Sequence, residues 1–280
     1  MKELYVINSN GEKEPFSFRK VYRSLIRSGT SRVLAKEIAK RIEREAYPGI
    51  KTSDISQRIR KELIKRAPKI ALKFNLKEGM KKLGPTGFPF EKYIGEIFLR
   101  DGFKVQLNQH VPGLCARYEI DFLAKKKNLL YIGECKYRHL PGGRVHLDVA
   151  LANYARFLDI KRGGFFNKIF KDIKIKSLLV TNAKFTSQAI KYSKCVGVEL
   201  LGWNYPRKKG LEYLIDKRKL YPVTILPSLK KFLADILVLK RMMLVEDLLK
   251  IDTEKFAKKE KISLKYLRPL IKEAKILLLE

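Results

Sequence analysis

Arg117-Tyr118-Glu119-Ile120-Asp121-Phe122-Leu123-Ala124-Lys125-Lys126-Lys127-Asn128-Leu129-Leu130-Tyr131-Ile132-Gly133-Glu134-Cys135-Lys136 reads as two β-strands, over 117–124 and 129–137, joined by a polar turn at Lys125–Asn128. Side chains alternate between the two faces of a strand. Glu119 and Asp121 are therefore expected on one face, with Tyr118, Ile120 and Phe122 on the other. On the return strand, Glu134 and Lys136 share a face with Leu130 and Ile132. A face that starts apolar and ends in a carboxylate and an ammonium calls for partners, because an unpaired charge is costly to bury. A solvent-facing hairpin with an ordinary Glu–Lys neighbour pair is the plain alternative. A divalent-cation site is the more specific one. Magnesium is usually held by one or two carboxylates together with water and phosphate. Asp121 and Glu134, on neighbouring strands, are suited to share one ion. Lys136, two residues on, is suited to orient a water or to stabilise charge on a phosphate.

Working outward, the hairpin is embedded in a mixed pattern. A helix is predicted over Phe90–Arg100 and a strand over Lys104–Asn108. After the hairpin come a helix over Leu147–Ile160, a strand over Lys176–Thr181, a helix over Thr186–Val196 and a strand over Glu199–Gly202. Hairpins mixed with helix-linked strands imply an α/β sheet covered by helices. On its N-terminal side, Gly84-Pro85-Thr86-Gly87-Phe88-Pro89 is a cluster of helix breakers and a natural hinge.

Before that hinge, Leu4–Ile7 reads as a strand and Ser9-Asn10-Gly11 as a turn. Helical spacing follows at Val21, Leu25 and Ile26, then at Leu34, Ile38 and Ile42, then at Ile55, Ile59 and Leu63 behind a Thr52-Ser53-Asp54 cap. Beyond Pro222 only helical patterns remain, over Leu229–Leu239, Leu244–Leu249, Asp252–Lys259 and Leu267–Leu279. The expected division is thus 1–84, mainly helical; 85–220, α/β; and 221–280, small and helical.

Charge narrows the partners. Lys and Arg number 61 against 29 acids, a formal net charge of +32 in 280 residues. Such a surface attracts polyanions, because each neutralised phosphate releases counterions. The cations are spread over the whole chain, which suits a large nucleic acid better than a membrane surface. No apolar run reaches the ~18 residues of a membrane span, and no secretory signal is visible, so a cytoplasmic location is expected. Cys115, Cys135 and Cys195 are far apart, which speaks against a disulfide framework or a cysteine-rich zinc site.

Phe90-Glu91-Lys92-Tyr93-Ile94, Gly102-Phe103-Lys104-Val105, Glu119-Ile120-Asp121 and Glu134-Cys135-Lys136, in that order, resemble the PD-(D/E)xK nuclease superfamily, closest to its Mrr-like restriction endonuclease branch. Leu179-Val180-Thr181-Asn182-Ala183-Lys184-Phe185-Thr186 resembles that branch's strand, small-residue turn and helix. The resemblance implies a restriction-endonuclease-like mixed sheet flanked by helices, and a Mg2+- or Mn2+-dependent endonuclease acting on DNA. It implies Asp121 and Glu134 as metal ligands, the backbone carbonyl of Cys135 as another, and Lys136 as the catalytic lysine. Family members often add a first-helix glutamate; Glu91 fits best and Glu96 second, while a solvated helix acid explains Glu91 equally well. Arg138, His139 and Arg144 follow the active strand and are candidates for DNA phosphate contacts, or else members of a basic loop. Many such nucleases work as homodimers. A DNA-binding protein without turnover, regulated by nucleotide, is the alternative.

The first region resembles an ATP-cone through Val6, Gly11, Phe16, Lys20 and Gly49-Ile50-Lys51-Thr52-Ser53-Asp54-Ile55. That implies a module for ATP or dATP, with Lys20 as a candidate phosphate contact. Asn8-Ser9-Asn10 stands where the family usually carries a basic pair and an aspartate. The third region resembles a helix-hairpin-helix DNA-binding fold, with Met242-Met243 in place of the hairpin glycines.

Overall fold

Tyr5–Ile7 (β1) pairs antiparallel with Lys13–Pro15 (β2) around a turn that Asn8 organises. Its Oδ1 accepts from the backbone amides of Asn10 and Glu12, at 2.9 and 3.0 Å. Ser17 caps the first helix, Phe18–Arg27 (α1), by accepting from the Lys20 amide. Arg32–Glu45 (α2) follows, and Ile50–Lys51 (β3) runs parallel to β1. The next helix, Thr52–Arg66 (α3), begins at the residue expected to cap it: Lys51 holds the cap position without a side-chain bond. Asp54 instead lies in the first turn, where the helix dipole favours an acid. Pro68–Phe74 (α4) and Leu76–Lys81 (α5) complete this stretch. Leu25, Ile38, Ile42, Ile59 and Leu63 form its core, as the helical spacing requires. In the computed structural model, the described residues are 4–83, 90–139, 142–170 and 172–279; the Gly84–Pro89 hinge lies outside them.

The α/β part begins with Phe90–Arg100 (α6). Lys104–Pro112 (β4), Arg117–Lys126 (β5) and Leu129–Lys136 (β6) form an antiparallel meander. The hairpin turn is tighter than expected: Lys126 pairs with Leu129, and Lys127 takes a left-handed φ of 54°. Arg144–Val145 (β7), Leu147–Gly163 (α7) and Phe165–Ile169 (α8) lead to Lys174–Thr181 (β8), which runs parallel to β6. Lys184–Phe185 (β9) pairs with β7. Ser187–Val196 (α9), Glu199–Leu201 (β10) and Leu211–Arg218 (α10) close the segment. Among the described residues the main sheet has the order β10-β8-β6-β5-β4, half parallel and half antiparallel. The mixed α/β sheet read from the sequence is therefore present. Its α7 face is filled by Val111, Ile120, Leu123, Leu130, Ile132 and Phe166. On the other face Phe98 of α6 meets Phe122 and Tyr131.

The last segment is helical, as expected: Lys231–Leu239 (α11), Val245–Leu248 (α12), Thr253–Lys259 (α13) and Leu264–Leu278 (α14). It does not stand apart. The chain divides into two compact units, 1–81 with 221–280, and 82–220. Within the first unit α14 packs on α4, and Thr224 Oγ1 donates to the Gly79 carbonyl at 2.9 Å in a buried bond. The segment resembling a hairpin DNA-binding loop is used internally. The amide of Met242 donates to the Leu237 carbonyl, that of Val245 to the Tyr221 carbonyl, and that of Leu244 to Asp247 Oδ2. Those amides are not free to approach a phosphate, so the helix-hairpin-helix likeness ends at the helices. Among the described residues, no helix is long and apolar enough to cross a membrane.

Candidate active site

The β5–β6 register ends at Phe122↔Gly133, and its continuation sets Asp121 opposite Glu134. Strict alternation fails at that point. Ile120 packs with Leu123, Leu130 and Ile132 on the α7 face, whereas Phe122 meets Phe98 from the opposite side. Ile120 and Phe122 therefore do not share a face, contrary to the alternation expected from the sequence. The neighbouring strand shows the matching distortion. Leu107 pairs with Phe122 and Gln109 with Ile120, while Asn108 between them is left-handed at φ 51°. Asparagine tolerates that conformation better than most residues. The kink turns the Asp121 carboxylate toward the end of β6, where Oδ2 accepts from the Cys135 amide at 2.6 Å.

Glu134 and Lys136 follow the expected alternation. Glu134 lies on the α7 face and is 5% exposed. Lys136 Nζ stands 2.6 Å from its Oε1. A second cation was not foreseen: Arg156 Nη1 of α7 stands 2.6 Å from Oε2. Arg156 has a sequence signature all the same. With Asn153 it lies on the stripe of α7 that includes Ala150, Phe157 and Ile160, where apolar residues are the rule.

The electrostatics are unfavourable for a charged Asp121. Burial, then the charge of Glu134, pushes the Asp121 carboxyl up to about 6; the Cys135 amide and Lys136 oppose this, and Glu91 adds to it. The Cys135 thiol is pushed well above its usual range by burial and by Asp121, Glu91 and Glu134. Such a thiol is a poor nucleophile. Glu91 thus lies within electrostatic reach, brought there by Phe90, whose ring is 5.9 Å from that of Tyr137 just past β6. Glu96 is committed elsewhere, 2.8 Å from Arg100 Nε.

The donor chemistry suits a hard cation: two carboxylate side chains and the carbonyl of Cys135, which directly follows Glu134. The Asp121 carboxyl is pushed up to about 6 first by burial and then by the charge of Glu134, and a bound cation would offset both. Among the described residues no group of three His, Cys, Asp or Glu side chains is placed to hold a metal, so Glu91 is not drawn in as a third ligand here.

The loop after β6 has an anchor that the sequence reading left without a role. Asn182 Oδ1 accepts from the Arg138 amide at 2.7 Å, and Asn182 Nδ2 donates to the Arg138 carbonyl at 3.0 Å. Thr181 Oγ1 holds the Lys136 carbonyl at 2.6 Å. Arg138 Nε donates to the Arg144 carbonyl, and His139 and the Arg144 side chain are exposed. Lys20, in the other unit, is ion-paired with Glu14 at 2.6 Å.

Residues 4–75 match the ATP cone domain family, and residues 221–278 match the family described as AF1548-like, C-terminal. A relative from Archaeoglobus fulgidus, described as an uncharacterized protein, is 37% identical over 174 residues, which cover 62% of this chain and 93% of the relative. The crystal structure of a protein of unknown function, AF1548, superposes with a TM-score of 0.56 at 33% identity, covering 67% of this chain and 96% of the other.

Proposed function

The chain belongs to the AF1548-like family, and we propose that it is a metal-dependent DNA endonuclease of the PD-(D/E)xK type, in its Mrr-like branch, with an N-terminal ATP cone domain as a control element. The observation that carries the reading is the cross-strand Asp121–Glu134 pair with Lys136 at 2.6 Å from Glu134. Asp121, Glu134 and the Cys135 carbonyl would hold Mg2+ or Mn2+. When bound, that ion supplies Lewis acidity toward a phosphate oxygen and a more acidic water. Lys136 is half in solvent, with 37% of its side chain exposed against 6% for Glu134. Its ammonium would meet a phosphate or orient a water in this reading. Glu91 adds negative potential beside Asp121 and is the candidate for an assisting carboxylate. Arg138, His139 and Arg144, on the Asn182-anchored loop, are candidates for flanking phosphates. The formal charge of +32 favours DNA as the partner. The ATP cone domain suggests ATP or dATP as the controlling ligand. Cleavage of both strands is simplest with a homodimer.

The test is cleavage of plasmid and of branched DNA with and without Mg2+. Asp121→Ala and Lys136→Ala are expected to lose about a hundredfold or more in rate, and chelation is expected to abolish cleavage. Cleavage that persists in Asp121→Ala would overturn the assignment. One observation favours a DNA-binding protein without turnover: both Glu134 oxygens are already engaged by cations. Salt-sensitive DNA binding with no cleavage under any divalent ion would select that reading.

A further inference from the structure

Arg156 belongs to a polar row along α7 that ties the helix to three parts of the sheet. Asn153 Nδ2 donates to Ser177 Oγ on β8 at 2.8 Å, in a buried bond. One turn on, Arg156 reaches Glu134 on β6. One further turn on, the Asp159 carboxylate accepts from the amides of Cys115 and Ala116 in the β4–β5 loop, at 3.0 and 3.2 Å. The contact there is close: a Cβ on Gly163 would lie 2.7 Å from the Gly113 carbonyl carbon. Arg156 is therefore presented by a helix pinned on both sides of it.

The two cations on Glu134 are not equivalent. Lys136 is the more exposed and takes Oε1; Arg156 is the less exposed, 27% for its side chain, and takes Oε2. A buried carboxylate with one cationic partner retains it, because releasing that partner leaves an uncompensated charge. A second cation removes the constraint. We infer that Arg156 is a positioning residue for the proposed metal site: it fixes the Glu134 carboxylate through Oε2, leaving Oε1 available to a divalent cation and Lys136 free to turn to the phosphate. The inference rests on the nuclease reading of the Asp121–Glu134 pair. It assigns α7, outside the two catalytic strands, a direct role in the geometry of the site.

Mn2+ alone serves as the probe, titrated calorimetrically into the full chain after chelator treatment. Asp121→Ala is expected to abolish binding. Arg156→Gln is expected to weaken it by about 10- to 100-fold, the usual cost of removing a partner of a metal ligand. Arg156→Lys restores part of the affinity, because it keeps the charge but not the planar fork. An arginine that merely competed with the metal for Glu134 gives the opposite sign, tighter binding in Arg156→Gln. A purely structural arginine gives a lower melting temperature with unchanged affinity. Either result overturns the inference, as does a wild type that binds no Mn2+. Should the Gln variant not fold, Arg156→Met, which keeps the packing of the stem, carries the same expectation. Arg156-dependent Mn2+ binding in a chain that leaves DNA uncut would uphold the positioning role and remove the nuclease. DNA cleavage by the wild type, with Mn2+ binding unchanged in Arg156→Gln, would do the reverse.

Discussion

Asp121 sits where three effects meet. The kink opposite Asn108 turns it out of the regular pleat, burial penalises its charge, and Glu134 stands across the strand. Its carboxyl titrates near 6 in the folded protein against 3.8 ordinarily. A group whose pKa is raised on folding contributes stability that is complete below the unfolded value and is lost as pH rises through the folded one. The wild type without divalent ions is thus expected to lose stability between about pH 4 and pH 6 through this residue, on the order of 1–3 kcal/mol. Asp121→Asn, which keeps an oxygen for the Cys135 amide, lacks that loss and is the more stable chain at pH 7.5. Urea denaturation of both proteins at pH 4.5 and 7.5 measures it. An identical pH dependence in the two would show that Asp121 carries no raised pKa.

At the scale of the element, the β5–β6 hairpin depends on a residue that carries no functional group. A Cβ on Gly133 would fall 2.2 Å from the Phe122 ring, which lies across the strand and is fully buried. Glycine is what lets that ring cover β6 one residue before Glu134. Gly133→Ala is expected to cost about 1–3 kcal/mol as an overpacking change. The double variant Gly133→Ala/Phe122→Leu is expected to recover part of it, because the clash is with the ring. Denaturant midpoints of the single and double variants decide this. A double variant no more stable than Gly133→Ala would place the cost elsewhere. On the return side of the site, Asn182 performs for the loop what Gly133 performs for the hairpin, holding both backbone groups of Arg138.

At the scale of the whole molecule, the ATP cone domain and the C-terminal helices make one unit from the two ends of the chain, and the α/β unit is the continuous segment between them. The seam within the first unit is tight: a Cβ on Gly79 would stand 2.9 Å from Ile225 Cα, a backbone atom that cannot rotate away. Gly79→Val is therefore expected to destabilise 4–81 and 221–279 together. Hydrogen exchange followed along the chain should show faster exchange in both segments. Acceleration limited to 4–81 would mean that the two ends do not unfold as one.

Much of the architecture is local and could be read directly. Alternation and turn residues marked β5 and β6, helical spacing marked α1 to α3 and α6, and the order Asp121, Glu134, Lys136 marked the candidate site. Short elements such as α5 and α8 are too brief to show a periodicity of their own, and their form comes from what they pack on. What the tertiary structure alone decided lies between residues remote in the chain. Arg156 reaches Glu134 from 22 positions away, and Asn182 holds Arg138 from 44. Glu91 acts electrostatically on Asp121, whereas Glu96 is held by Arg100 on its own helix. The chain ends unite because α4 packs on α14 as well as on α3, and α5 packs against the turn at Val223–Ile225. Periodicity reports which side of an element is buried. Which partner covers that side depends on how sheet and helices stack, and so do the bonds to Glu134.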